Sequence, residues 1–308
     1  MPDPAILVDR LSHAYGDRPA LEDVSFEVAR GELFGLLGPN GGGKTTLFRI
    51  LSTLMAPRAG RVSLLGESNA DAIRRRIGVV FQTPSLDRKL TVRENLAHQG
   101  HLYGLHGAAL GARIDELLAR VGLEDRQAER VERLSGGQRR RVEIAKGLLH
   151  RPDVLLLDEP ATGLDPGARL DLRRHLAGLR ERDGVTVFLT THLMDDAEAC
   201  TRVGILHRGR LVALDTPAAL RGQIGGDVVS IGADDAAALA HEARERFGVE
   251  ATVIDGVVHV ERERGHELAA RLAEAFAGRI RSITVARPTL EDVFIRHTGH
   301  RFWEEEPS

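Results

Sequence analysis

Five consecutive apolar or small residues, Leu33-Phe34-Gly35-Leu36-Leu37, run directly into Gly38-Pro39-Asn40-Gly41-Gly42-Gly43-Lys44-Thr45, and a helical apolar rhythm follows over residues 44–54. A strand without polar alternation is one covered on both faces. A glycine-rich turn between such a strand and a helix leaves bare N–H groups at the helix N-terminus, aimed outward. The pattern G-x-x-x-x-G-K-[ST] therefore constrains the chain twice, calling for an α/β core and shaping a cradle for a polyphosphate. There the Lys44 ammonium reaches β- and γ-phosphates, the Thr45 hydroxyl ligates Mg²⁺, and Thr46 completes the nucleotide-contacting set. Only three of the 42 basic residues are lysines, Lys44, Lys89 and Lys146, and one of them stands in this loop.

The same core signature recurs. Residues 154–157 and 185–189 are again apolar runs of strand length, each preceded by an amphipathic helical stretch, and this alternation specifies a mostly parallel sheet with helices on both faces. Residues 5–9 and 24–28 alternate apolar with polar, as half-buried antiparallel strands do, and Arg30-Gly31 makes a turn after the second. Between residues 91 and 150 no strand signal survives. Helices are expected there from Val92, Arg113 and Arg139, as a helical insertion in the α/β core. The run 154–157 ends in Asp158-Glu159. Asp158, at the carboxyl end of a buried strand, can hold Mg²⁺ through a water. Glu159 is placed to polarise the water that attacks the γ-phosphoryl group. No N-K-x-D tetrad for reading guanine follows, which points away from GTP.

After Pro217 the character changes. Strand over 228–231, helix over 236–247, strands over 251–254 and 257–260 around Asp255-Gly256, helix over 266–276 and strand over 280–285 give the order β-α-β-β-α-β. Residues 223–308 hold 10 Arg against 16 Asp and Glu, three of them in the terminal run Glu304-Glu305-Glu306, so this tail is acidic while the rest is slightly basic. The expected division is an ATP-binding domain over 1–222 and a small accessory domain over 223–308. A chain of 308 residues, 42% hydrophobic and 28% charged, readily fills two cores. Its formal charge of −3 supplies no global basic field, so nucleic acid is not an expected partner. No apolar run reaches the roughly 18–20 residues that cross a bilayer. The N-terminus has no basic and apolar leader pattern, and Cys200 is the single cysteine, which fits a reducing cytoplasm.

Leu134-Ser135-Gly136-Gly137-Gln138 opens a helix in which Val142, Ala145, Leu148 and Leu149 keep helical spacing. Ser135 and Gln138 have capping-box spacing. Yet two glycines in a first helical turn cost about 1 kcal/mol each relative to alanine, so bare backbone is needed there. With LSGGQ between that glycine loop and LLLDEP, the chain resembles the ABC transporter ATPases over residues 3–222. The resemblance implies a P-loop NTPase cassette, Mg-ATP as bound species, and a head-to-tail dimer in which each P-loop faces the partner's residues 134–138. It carries Tyr15 over as the ring that stacks on adenine and Gln82 as the sensor of Mg²⁺ and γ-phosphate. Asp165 corresponds to the loop that communicates across the dimer, and His192 to the switch histidine on the γ-phosphate. Gly42 and Lys146-Gly147 depart from the commonest family residues without removing a catalytic group.

Within that family Thr83-Pro84-Ser85-Leu86-Asp87, the run His192-Leu193-Met194-Asp195-Asp196-Ala197-Glu198-Ala199, and Pro288-Thr289-Leu290-Glu291-Asp292-Val293-Phe294 resemble the ATPases of ABC-2-type exporters, such as the daunorubicin-resistance and sodium-efflux kinds. The implied partners are a second nucleotide-binding subunit, in a homodimer, and a separate integral permease that docks near residues 82–95. That permease would hold the protein at the cytoplasmic face of the membrane. An importer ATPase, or a soluble ABC ATPase of translation or repair, remains the alternative reading. The accessory domain is expected to stabilise the dimer or contact a subunit.

Overall fold

The computed structural model describes residues 3–302, and the acidic run Glu304-Glu305-Glu306 lies outside them. Contacts divide the chain between Leu211 and Val212 into two compact units. The first opens with an antiparallel hairpin, β1 (Ile6–Tyr15) and β2 (Arg18–Val28). These strands outrun the alternating residues because register shifts beyond Val8 break the period-two pattern without breaking the pairing. Strand β3 (Leu33–Leu37) is buried at every position, as a two-sided strand must be. Next, β4 (Ala59–Leu64), mostly exposed, pairs with β1 to give a small sheet of order β2-β1-β4.

The main sheet adds β5 (Ile77–Val80), β6 (Val154–Asp158), β7 (Thr186–Thr191), β8 (Arg202–His207) and β9 (Arg210–Asp215), in the order β5-β6-β7-β3-β8-β9. The β5–β6, β6–β7, β7–β3 and β3–β8 pairings are all parallel. Parallel register lays the carboxyl ends of β3, β6 and β7 side by side, with Leu37 opposite Thr191 and Asp158 opposite Thr190. In open α/β sheets that edge is where ligands bind. Phe26 of β2 stacks on Phe34 of β3 at 5.2 Å, and Phe34 on Phe188 of β7 at 5.7 Å, which joins the two sheets.

Between β5 and β6 the chain is helical, with helices Val92–Leu102, Gly107–Val121 and Gly136–Leu148 packed on one another. Two of them start earlier than the apolar rhythm indicates. At the third, Ser135 and Gln138 cap reciprocally, which fixes the first turn at Gly136 rather than Arg139.

The second unit contains β10 (Asp227–Ala233), helix Ala236–Phe247, β11 (Ala251–Ile254), β12 (Val257–Arg262), helix Gly265–Ala275 and β13 (Ile280–Ala286), in the expected β-α-β-β-α-β sequence. Its sheet is antiparallel, ordered β11-β12-β10-β13. Asp255 and Gly256 have φ of 51° and 72°, the left-handed pair of a type I′ hairpin turn. Two helices were not legible in the apolar pattern, Pro217–Gly222 and Leu290–Thr298. The latter is fixed by a capping box between Thr289 and Asp292, inside the segment noted above only as a family resemblance.

Candidate functional site

The glycine loop joins β3 to helix Lys44–Leu51, whose N-cap is Gly43 at φ 105°. A Cβ at Gly43 would lie 2.5 Å from the Ala20 carbonyl oxygen, so both conformation and space require glycine there. Because glycine has no side chain, nothing in this residue caps the helix, and the first-turn N–H groups of Lys44, Thr45 and Thr46 are aimed at whatever approaches the loop. The loop is held by Gly38 N–H donating to the Thr191 carbonyl at 3.2 Å and Gly209 N–H donating to the Gly42 carbonyl at 3.0 Å. These two bonds anchor the loop from both sides of β3.

Lys44 is nearly enclosed, with 4% of its side chain exposed. Its Nζ donates to the carbonyls of Gly38 at 2.7 Å and Pro39 at 3.0 Å, and lies 3.3 Å from Glu159 Oε1. Burial pulls the ammonium below the ordinary lysine range, and the Glu159 and Asp158 carboxylates offset part of that. Thr45, in contrast, is exposed on the loop's open side.

Glu159 is the hub of the site. It follows β6 with φ 43°, a backbone region that costs a non-glycine residue about 1–3 kcal/mol. Its N–H donates to both the carbonyl (3.1 Å) and the Oγ1 (3.0 Å) of Thr190, which hold the strained turn in place. Four side chains converge on the carboxylate. Lys44 faces Oε1. His192 Nδ1 at 2.9 Å, Thr162 Oγ1 at 3.1 Å and Gln82 Nε2 at 3.5 Å all face Oε2. His192 reaches it from the loop after β7, and Gln82 from the loop after β5, so three neighbouring strands and the P-loop helix supply the cluster. Beside it, Asp158 Oδ1 accepts from Thr190 Oγ1 at 2.6 Å, and burial raises its acid above the usual carboxylate range. Asp158 and exposed Thr45 offer the hard oxygens that Mg²⁺ prefers, so the residues present fit the metal.

Tyr15 sits at the tip of the β1–β2 hairpin, 46% exposed. Its hydroxyl is 3.5 Å from Thr46 Oγ1, so its ring stands beside the glycine loop with surface to spare.

The remaining expected residues gather elsewhere. Ser135 caps its helix through the Gln138 N–H at 3.2 Å, and Asp165 caps helix Pro166–Asp183 through the Ala168 N–H at 2.9 Å. The two helix starts meet each other rather than the glycine loop of their own chain. A Cβ on Gly137 would lie 2.8 Å from Ala168 Cβ, so internal packing excludes one there. At Gly136 the nearest atom would be Leu164 Cδ2 at 3.8 Å, an ordinary contact. Packing inside the chain therefore accounts for Gly137 and leaves Gly136 unexplained.

One buried group escaped the sequence reading. The run Arg139-Arg140-Arg141 reads as a solvated face or a partner contact, but Arg140 is enclosed and its guanidinium donates to three backbone carbonyls and to Glu143. Only the helical phase set by the Ser135 cap, which turns position 140 inward, could have revealed it.

Comparison with known proteins gives a consistent picture. Residues 21–162 match the ABC transporter family, and residues 216–298 match the C-terminal domain of ATP-binding proteins of the DrrA1-3 kind. The Nod factor export ATP-binding protein I of Paraburkholderia xenovorans is 42% identical, over 97% of this chain and 98% of its own length. The daunorubicin resistance ATP-binding protein DrrA3 of Streptomyces coeruleorubidus is 39% identical, with 97% of each chain covered. Among solved structures, cbiO1 of Clostridium perfringens, part of the ABC transporter complex cbiONQ, superposes with a TM-score of 0.68 at 27% identity, covering 80% of this chain and 96% of that one. A bacterial ABC transporter cassette solved as a dimer superposes with a TM-score of 0.62 at 30% identity, covering 68% and 98%.

Proposed function

The chain belongs to the ATP-binding proteins of ABC transporters, which hydrolyse ATP, and from that membership we propose that it powers an exporter through a separate ABC-2-type permease. The observation that carries the catalytic half is the convergence of Lys44, Gln82, Thr162 and His192 on the single carboxylate of Glu159. Phosphate oxygens are stronger partners for a buried ammonium than loop carbonyls. Lys44 and the N–H groups of residues 44–46 therefore take the β- and γ-phosphates, with adenine against Tyr15. Glu159 then serves the attacking water, accepting its proton while His192 and Gln82 hold the γ-phosphate end of the site. Bound Mg²⁺ would neutralise charge on the phosphates, held by Thr45, by Gln82 and through water by Asp158.

Dimer formation follows from the second cluster. Gly136 opens a helix with bare backbone that packing in its own chain does not require. A phosphate carried by a second copy is a ligand that does require it. Two copies arranged head to tail then close on two ATP molecules, with Ser135, Gly136, Gly137 and Gln138 of each facing the partner's glycine loop and Asp165 beside them. ATP favours the closed arrangement because both copies contact its γ-phosphate, and hydrolysis removes that preference.

Export rather than import is favoured by the names of the relatives, one concerned with Nod factor export and one with daunorubicin resistance. The permease would dock near residues 82–95, where Ser85 joins Phe81, Gln99, Tyr103, Lys146 and His150 in lining a groove of about 370 Å³. Two of its lining rings, Tyr103 and His150, stack at 3.8 Å between centroids, and Phe81 in the same lining is exposed. No helix among the described residues is long and apolar enough to cross a membrane. Attachment to the cytoplasmic face then rests on that groove. Affinity purification of the tagged protein from detergent-solubilised membranes tests the proposal. A polytopic permease should co-purify, and ribosomes or DNA in its place would overturn the reading.

A further inference from the structure

Helix Gly136–Leu148 does more than present its glycines. One turn beyond Gly136, the buried Arg140 guanidinium donates to the Phe81 carbonyl at 2.7 Å, the Pro160 carbonyl at 2.9 Å, the Asp158 carbonyl at 3.0 Å and Glu143 Oε2 at 3.1 Å. Those carbonyls belong to the residue before Gln82 and to the residues on either side of Glu159. On the next turn Glu143 accepts from the Ser85 N–H and hydroxyl. A turn further on, Lys146 Nζ donates to the Ser85 carbonyl at 3.0 Å and hydroxyl at 3.1 Å. Three charged residues spaced three apart on one helix, Arg140, Glu143 and Lys146, thus grip the loop that carries Gln82, and the first also grips the turn that carries Glu159.

We propose that Arg140 is a positioning residue that links the two nucleotide sites of the dimer, passing engagement of the Ser135–Gly137 helix start by the partner's nucleotide to Gln82 and Glu159 of its own chain. The inference rests on the head-to-tail dimer described above. A planar guanidinium with several bonds is a stiff coupler, unlike a single ammonium contact. From Gly136 to Arg140 is about 6 Å along a helix, so a small displacement of the helix start is delivered almost undiminished to the three carbonyls. Misplacing a catalytic group by about 1 Å can cost about 10²-fold in rate. Closure of the partner onto Gly136 is then the event that sets Glu159 and Gln82 to their working distance. ATP binding at the glycine loop does not need it.

Removing one member of a buried ion pair strands the other, whereas replacing both by apolar residues of similar volume is commonly tolerated. The test therefore uses full-length Arg140→Met/Glu143→Met, with Mg-ATP affinity measured by calorimetry and turnover measured against ATP concentration. Wild type should turn over with a Hill coefficient above 1. The double variant should keep wild-type ATP affinity, lose about 10²-fold in kcat, and show a Hill coefficient near 1. Arg140→Lys keeps the charge without the fork and gives the same readout should the double variant not fold. Wild-type kcat and cooperativity in a folded variant would overturn the inference alone. A loss of ATP affinity matching the loss of kcat would also overturn it, by making Arg140 part of the general scaffold. A wild-type protein that binds ATP and never turns it over would remove the hydrolytic reading and the inference with it.

Discussion

The two units bury different chemistry. Among the described residues every buried polar or charged side chain, from Glu32 to Asp196, lies in the first unit, and Lys44, Arg140, Glu143, Asp158 and Glu159 gather around one strand end. The second unit encloses an apolar cluster built on Val229, Ile231, Leu239, Val258, Val260, Leu272 and Phe276, and keeps its ion pairs, such as Arg279–Glu242, on the surface. Buried charge is expensive and persists where geometry repays it. The contrast separates a part shaped for chemistry from a part shaped for packing.

Three perturbations press on that contrast. Leu272→Ala opens a cavity in the second unit's core and should cost about 2–5 kcal/mol of stability, read by chemical denaturation, with ATP affinity unchanged under conditions where the protein is folded. Altered ATP affinity would break the division. Lys44→Ala should leave the second unit intact and weaken Mg-ATP binding by about 1.5–3 kcal/mol, the usual worth of a hydrogen bond to a charged group. Calorimetry giving unchanged affinity would remove Lys44 from the phosphate cradle.

The smallest effect is expected at His259. Partial burial holds its imidazole below the ordinary histidine value, Arg301 adds to that, and Asp292 and Asp255 oppose it. With the folded pKa lowered, the unfolded chain binds more protons between about pH 6.5 and the lowered folded value. Stability contributed by the neutral ring is present above that window and declines as pH falls through it. His259→Asn should flatten this part of the pH–stability curve. Equal slopes in the two proteins would assign the dependence elsewhere.

Much of the site was legible because its chemistry is local. The glycine loop, Lys44, Thr45, Asp158 and Glu159 follow from a strand, a turn and a strand end, each readable within about ten residues. Tyr15 and His192 came only with the family resemblance, since a hairpin tip and a strand end acquire meaning from what stands opposite them. The burial of Arg140 was not legible for the reverse reason. In sequence it is the middle of a basic run, and its burial depends on β5 and β6 arriving on the same side of its helix. The edge strand β4 was missed because it is largely exposed and carries little apolar pattern, and helix Leu290–Thr298 because its signal is a cap.

Glu159, gripped by Lys44, Gln82, Thr162 and His192, is the group we assign to activating water for ATP hydrolysis. The most direct test of that assignment is Glu159→Gln, an isosteric change that keeps the shape of the buried side chain and one accepting oxygen while it removes the base and the charge facing Lys44. Steady-state turnover should fall by about 10² or more, while Mg-ATP affinity stays at the wild-type level. Wild-type turnover in this variant would contradict the account and require another base.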